Sequence, residues 1–422
     1  MSHDQDQDQT QGPDRRAFLQ AGAVATAAAI GGASPLRAQD APADKTLTMP
    51  RRKLGKTGGE ITMLDQGAVR GSAYDRILRL SFAQGVRVFD AAKVYGTEPN
   101  VKKWFEASPE VRKQIFLVTK DMPKRPTQMP AMVDDRLKSL GTDWIDLFFV
   151  HGLGDDHSLQ DATDMVAGKG EIGREFKVAA DAIRKSGKAK FIGFSSHHKD
   201  RAAIIRAAAE GGIVDAIMLQ YSPWLDKESP LNKALDSAHK AGIGLITMKQ
   251  IAGKGFGDAP KGNILDDVMK RAPVLGEKGL SPFQGLLYAI WTDERISASC
   301  VSMKNTDQIR ENSDAARRFE PLKAAQILQL KAAILASNPT LCTDCEGRCM
   351  AAAGTTAELG NLTRFLTYYQ HLGDRVEARR QFAALSPEAK DWTGADLDAA
   401  RAACPHGLDF ARLLPEVERH LT

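Results

Sequence analysis

Long apolar runs, cysteines and a surplus of one charge are all scarce in this chain, and each shortage removes a class of protein. Away from the N-terminus no uncharged stretch is apolar enough to span a bilayer, so stable membrane insertion is not expected. Lys and Arg number 57 against 53 Asp and Glu, a balance of +4 that is too mild for a nucleic-acid partner. No Lys/Arg run reads as a polybasic membrane patch. Five cysteines in 422 residues do not make a disulfide framework. What is present is ordinary for a globular protein: 43% hydrophobic and 26% charged residues, and enough chain to bury a large core. Four of the five cysteines fall between Cys342 and Cys404, and that clustering points to a metal site.

The N-terminus reads as an address. Asp14-Arg15-Arg16-Ala17-Phe18-Leu19-Gln20 is followed by a charge-free stretch to Leu36 whose apolar content is mostly Ala and Gly. A charged region, a short apolar region and a small-residue cleavage site, after Ala38 or at Ala41-Pro42-Ala43, make a signal peptide. The paired arginines before Phe-Leu resemble the twin-arginine export signal. That resemblance implies that the twin-arginine machinery carries the folded, cofactor-loaded protein to the periplasm, with residues 1–43 as leader and linker.

From about residue 60, short β-rich runs alternate with amphipathic helical runs. The expected strands are Thr62–Val69, Val86–Asp90, Ile115–Lys120, Trp144–His151, Lys190–Ser195, Ala216–Tyr221, Gly244–Lys249 and Ser297–Met303. Helices are expected at Tyr74–Gln84, Ala131–Leu140, Phe176–Ser186, Arg201–Ala209, Leu231–Ala241, Pro282–Trp291 and Asp307–Arg317. Eight such units predict an α/β fold of the (β/α)8 TIM barrel type over residues 51–320. An open dinucleotide-binding sheet would carry a Gly-rich turn after its first strand, and Gly67-Ala68-Val69-Arg70-Gly71 is not that turn. Function in a barrel sits at the C-terminal strand ends. Two long loops are expected there, at 152–173 and 252–281, as walls of the substrate pocket.

The strand ends carry Asp90 and, in the turn that follows it, Tyr95; Lys120 closes Phe116-Leu117-Val118-Thr119-Lys120, and His151 closes Asp146-Leu147-Phe148-Phe149-Val150-His151. Carbonyl reduction needs a hydride and a proton. A free phenol titrates near ~10 and is a weak donor at neutral pH. A neighbouring ammonium would lower that value, a carboxylate would hold the ammonium, and an imidazole could orient the carbonyl or relay a proton. On these four residues the barrel resembles the aldo-keto reductase family, which implies that Asp90, Tyr95, Lys120 and His151 form its catalytic tetrad.

The same resemblance implies an NAD(P)H site. Phe191-Ile192-Gly193-Phe194-Ser195-Ser196 matches the family's nicotinamide-amide stretch, with Ser196 where Asn is usual. Met218, beside Gln220, stands where many members carry an amide. Met248 stands where many carry a stacking aromatic; its thioether would be a looser partner. Gln308, Glu311 and Asn312 match the adenine-side motif, while Ser302 and Gln308 replace the Lys and Arg of NADP-preferring members. Cys300, in the eighth strand, is expected to be a buried core residue.

The tail holds Cys342-Thr343-Asp344-Cys345-Glu346-Gly347-Arg348-Cys349 and, far downstream, Cys404-Pro405-His406. This C-x2-C-x3-C run with a later Cys-Pro resembles half of a bacterial ferredoxin motif. It is similar to a ferredoxin-like extension found in a subset of aldo-keto reductases. Residues 321–422 are therefore expected to be a mainly helical extension binding one [4Fe–4S] cluster through Cys342, Cys345, Cys349 and Cys404. Zinc on the same four thiols is the alternative, followed by disulfides. Together these readings describe an exported oxidoreductase acting on a small carbonyl or alcohol, with an electron-transfer partner served by the cluster. A non-catalytic electron carrier or redox sensor on the same scaffold is the alternative function.

Overall fold

The computed structural model describes residues 48–71, 74–198, 200–250, 264–337, 342, 347–370 and 375–422. The leader expected at 1–43 and Cys345 lie outside them. The described chain begins with a hairpin, β1 (Arg51–Lys53) antiparallel to β2 (Glu60–Thr62). The single strand expected at Thr62–Val69 is therefore divided. The Thr62 hydroxyl donates to the Leu64 carbonyl at 2.9 Å and accepts from the Arg87 N–H at 3.1 Å, and the chain bends at Met63.

Eight parallel strands then close into a barrel: β3 (Leu64–Gln66), β4 (Val88–Asp90), β5 (Phe116–Asp121), β6 (Ile145–Val150), β7 (Ala189–Ser196), β8 (Ala216–Gln220), β9 (Gly244–Met248) and β10 (Ile296–Val301), with β10 pairing back onto β3. With its helical connections this is the (β/α)8 architecture. Because strand side chains alternate between faces, each strand serves two cores. Val88, Val118, Leu147, Phe149, Met218 and Ile246 fill the interior, joined by Leu54 and Ile61 of the hairpin, which fills the end where the strands begin. Phe89, Phe148, Phe194, Ile217 and their neighbours face outward, where residues such as Trp104 and Trp291 cover them. The interior leaves little slack. A Cβ on Gly193 would lie 1.9 Å from the Ala216 carbonyl oxygen and 2.7 Å from the Phe149 ring.

The segment expected as a loop at 152–173 contains helix Leu159–Ala167 and the start of Gly170–Ser186. The Ser158 hydroxyl caps the first of these by accepting from the Asp161 N–H at 3.0 Å, and Ala162, Met165 and Val166 form its buried stripe. The described part of the second expected loop likewise holds helices Ile264–Arg271 and Pro273–Lys278. Helix Ala324–Ser337 packs Leu330 and Ala333 against Val268, Leu275 and Tyr288 of the barrel's outer helices. A separate apolar core starts at Cys349 and gathers Leu362, Leu366, Phe410, Leu413 and Leu414 from helices Arg348–Ala352, Leu359–Gln370 and Phe410–Leu421. The C-terminal region is thus helical. No helix among the described residues is long and apolar enough to cross a membrane.

Candidate active site

Asp90 ends β4, Tyr95 closes the short turn Lys93–Tyr95 that follows, Lys120 lies one residue from the end of β5, and His151 follows β6. Barrel topology brings these four to one end. Strand alternation turns Lys120 inward and its neighbours outward. The Thr119 hydroxyl donates to Glu98 at 2.7 Å, Arg136 donates to the same carboxylate at 2.9 Å, and Arg136 reaches Asp121 at 3.5 Å. These buried bonds fix the strand end that presents Lys120.

The Lys120 ammonium donates to Asp90 Oδ1 and, at 3.1 Å, to the Ala91 carbonyl, with both side chains buried. Its Nζ stands 5.5 Å from the centre of the Tyr95 ring. The Tyr95 hydroxyl lies 3.4 Å from His151 Nε2, and the two rings meet edge to face at 5.5 Å. All four expected catalytic side chains therefore converge.

Burial alone would lower Lys120, but the Asp90 carboxylate outweighs it, with help from Tyr95 and Cys300, so Lys120 stays charged well into alkaline pH. Burial pushes Asp90 up while Lys120 pulls it back. Tyr95 is pushed up to about 12: burial is the largest cause, Lys120 opposes it, and Asp90 adds to it. The expected downward pull of Lys120 on the phenol is present, but burial exceeds it. Tyr95 consequently holds its proton at neutral pH, as a donor must.

The residues expected to hold the nucleotide divide into two sets. Gln220 and Met248 are register partners at the ends of β8 and β9, on the same end of the barrel as the tetrad. Lys249 follows with a left-handed φ of 52°, a conformation that non-glycine residues seldom take and that gathers at functional sites. Gln308 and Glu311 are half-buried on helix Thr306–Arg317, and Glu311 accepts a bond from the Ser281 hydroxyl. Ser195, Ser196, Met218 and Asn312 are buried. The Ser195 hydroxyl accepts from the Gly152 N–H at 3.0 Å, and the Ser196 hydroxyl donates to the Leu153 carbonyl at 2.8 Å. Those hydroxyls tie down the loop after β6, and Met218 packs in the interior.

One member of the site escaped sequence reading. Asp65, in the middle of β3, is fully buried, and its carboxylate, Asp90 and the Cys300 sulfur offer ligand atoms within 4.8 Å of one another. Neither Asp65 oxygen has a nitrogen or oxygen hydrogen-bond partner among the described residues; its neighbour there is the Cys300 thiol, a weak donor. The available signal was an acid inside the otherwise apolar run Met63-Leu64-Asp65. Cys300, expected as a buried core residue, is half-buried and packs against the edge of the interior core, and burial keeps it a thiol.

In the extension, Cys349 is buried in the second core, and Cys342 and Cys404 pack at its edge. An Arg364 N–H donates to Cys342 Sγ at 3.7 Å. A Cβ on Gly360 would come 2.8 Å from that sulfur, so glycine makes the room it occupies. His406, beside Cys404, is pushed down to about 4 by burial and then by Lys331. Arg348, adjacent to Cys349, pairs at 3.1 Å with Asp226, which follows β8 on the catalytic end.

The aldo/keto reductase family profile matches residues 61–334, more than half of the chain, and the chain belongs to that family. It is similar to an NADPH-dependent alpha-keto amide reductase of Saccharomyces cerevisiae, 31% identical over 149 residues, covering 35% of this chain and 44% of that protein. It is also similar to an L-glyceraldehyde 3-phosphate reductase of Escherichia coli O157:H7, 24% identical over 339 residues, covering 67% of this chain and 92% of that protein. The chain spans about half the length of the first curated relatives it matches. Among solved structures, an aldo-keto reductase from Bacillus halodurans in its holo form superposes with a TM-score of 0.51 at 18% identity, covering 68% of this chain and 96% of that one. Likeness at that identity concerns the fold.

Proposed function

We propose that this chain is an exported oxidoreductase that moves a hydride between NAD(P)H and a carbonyl or alcohol, and that its extension holds one [4Fe–4S] cluster. One observation carries the catalytic part: Lys120 and Asp90 are paired in a buried site beside Tyr95, whose hydroxyl faces His151. When bound, the reduced nicotinamide supplies the hydride. Gln220 and Met248 would hold its ring end, and Gln308 and Glu311 its adenine end. Tyr95 gives the proton to the carbonyl oxygen. Lys120, kept charged by Asp90, stabilises the phenolate left behind, and His151 orients the carbonyl. The relatives' names, reductases of an alpha-keto amide and of L-glyceraldehyde 3-phosphate, support a carbonyl substrate.

Tyr95→Phe is the deciding variant. It should lower kcat for carbonyl reduction by about 10²–10⁴-fold while leaving NADPH affinity in place; unchanged reduction would overturn the assignment. A second reading, a redox sensor or electron carrier, is favoured by one observation, the engagement of the Ser195 and Ser196 hydroxyls with the backbone. Absence of NADPH and NADH binding in an equilibrium titration would support it.

For the extension, three thiols around one apolar core, an arginine N–H on Cys342 and a glycine making room for its sulfur support a metal-cluster site. A cluster held there supplies one-electron chemistry, which would connect an exported enzyme to an electron-transfer partner where free nicotinamide is scarce. Iron, sulfide and zinc analysis of anaerobically purified protein separates cluster from zinc, and an electron paramagnetic resonance signal after adding NADPH would link barrel and tail. Arg15→Lys with Arg16→Lys should retain the protein in the cytoplasm if the leader uses the twin-arginine route.

A further inference from the structure

A buried carboxyl group without hydrogen bonds gives a fold no stability; it costs the desolvation of its oxygens. Asp65 comes close to such a group: β3 places it between Cys300 on β10, whose thiol is a weak donor to its carboxylate, and Asp90 on β4. The nearby cation is Lys120, which already donates to Asp90 and to Ala91. Two carboxylates so close in a buried interior, with one ammonium bound to Asp90, do not both ionise at neutral pH. Asp90 has the ion-pair geometry, so the proton belongs to Asp65. The other titratable groups facing this cluster are the Cys300 thiol, the Tyr74 phenol on helix Tyr74–Ala83, and Tyr95. None of these brings positive charge.

We propose that Asp65 is a positioning residue of the reductase site, standing at neutral pH as an uncharged carboxylic acid behind Asp90 and setting the alkaline limit of carbonyl reduction. This rests on the reductase reading of the same site. With Asp65 neutral, the Asp90–Lys120 pair is balanced and the Lys120 field acts on Tyr95. Once Asp65 loses its proton, a second negative charge competes for Lys120 and opposes the phenolate that Tyr95 must become. Burial first and the Asp90 charge second push Asp65 well above the usual carboxylate range, against Lys120. Its cost to stability is therefore smallest below the unfolded carboxylate value and grows as pH rises toward the folded one.

The experiment uses the full chain as wild type and Asp65→Asn, which keeps the shape without the charge. Infrared spectra at neutral pH should show the carbonyl stretch of a protonated carboxylic acid in wild type and lack it in Asp65→Asn. With each profile read relative to its own neutral-pH value, the alkaline fall of kcat/KM for carbonyl reduction should be displaced upward by about one pH unit or more in the variant. The melting temperature of wild type should fall with rising pH more steeply than that of the variant. Absence of the protonated band in wild type, or an unshifted alkaline limb in the variant, would each overturn the proposal. The wild-type infrared titration stands alone if the variant does not fold. It also tests Asp65 if the wild type reduces no carbonyl, an outcome that defeats the reductase reading instead.

Discussion

The end of the barrel where the strands finish and the thiol cluster of the extension both set polar chemistry on an apolar core, but they balance it differently. In the barrel the partners are parts of the chain: Lys120 has Asp90, and Glu98 has Arg136 and Thr119. Strands brought together by the barrel make those pairs, and the site is assembled before any ligand arrives. In the extension the thiols rim a core of leucines and aromatics, with Arg364 as the cation on Cys342. Stability in the first place comes from topology; in the second, on the proposed reading, it comes from what is bound.

The sharpest way to break that contrast is to remove a partner inside the barrel. Lys120→Met leaves Asp90 buried and uncompensated, which should cost about 3–5 kcal/mol in denaturant unfolding and abolish reduction. Adding Asp90→Leu should restore most of the stability and none of the activity. Metal removal comes next. Chelation, or Cys349→Ser, should strip hydrogen-exchange protection from helix Leu359–Gln370 while the barrel strands keep theirs; equal loss in both regions would erase the distinction. Smaller again, Gly360→Ala pushes a methyl group towards Cys342 and should cost about 1–3 kcal/mol, read in the unfolding of the extension, together with lower iron occupancy. Smallest of all, Arg348→Ala breaks the exposed pair with Asp226 and should leave the melting temperature unmoved, since exposed pairs contribute little.

Much of the barrel is legible in the chain because its signals are local. Seven of the eight strands follow from undivided β-rich runs, and Asp90, Tyr95, Lys120 and His151 each stand at or just beyond the end of one. What escapes depends on partners distant in sequence. The bend at Met63 is made by Thr62 holding the Arg87 backbone. The roles of Ser195 and Ser196 are decided by Gly152 and Leu153, so a motif could identify these residues without showing where their hydroxyls turn. Asp65 acquires meaning only when β3 lies between β4 and β10. Helix Leu159–Ala167 is a different case: its capping serine and apolar stripe are local signals, and the long connection expected after the fourth barrel strand holds a helix that the chain itself specifies.

The seam between β10 and β3 sets Ser299 opposite Leu64 and Cys300 opposite Asp65, so the barrel closes across almost its whole sequence. The last strand must leave the ribosome before the first has a second neighbour, and loop-closure entropy must be met before that seam returns any stabilisation. Folding should therefore be slow and end in a single late step, with the edges of β3 and β10 exposed to other chains until then. Asp65 faces Cys300 across this seam, so its enclosure beside Asp90 should be completed only at the last moment of folding, together with resistance to aggregation.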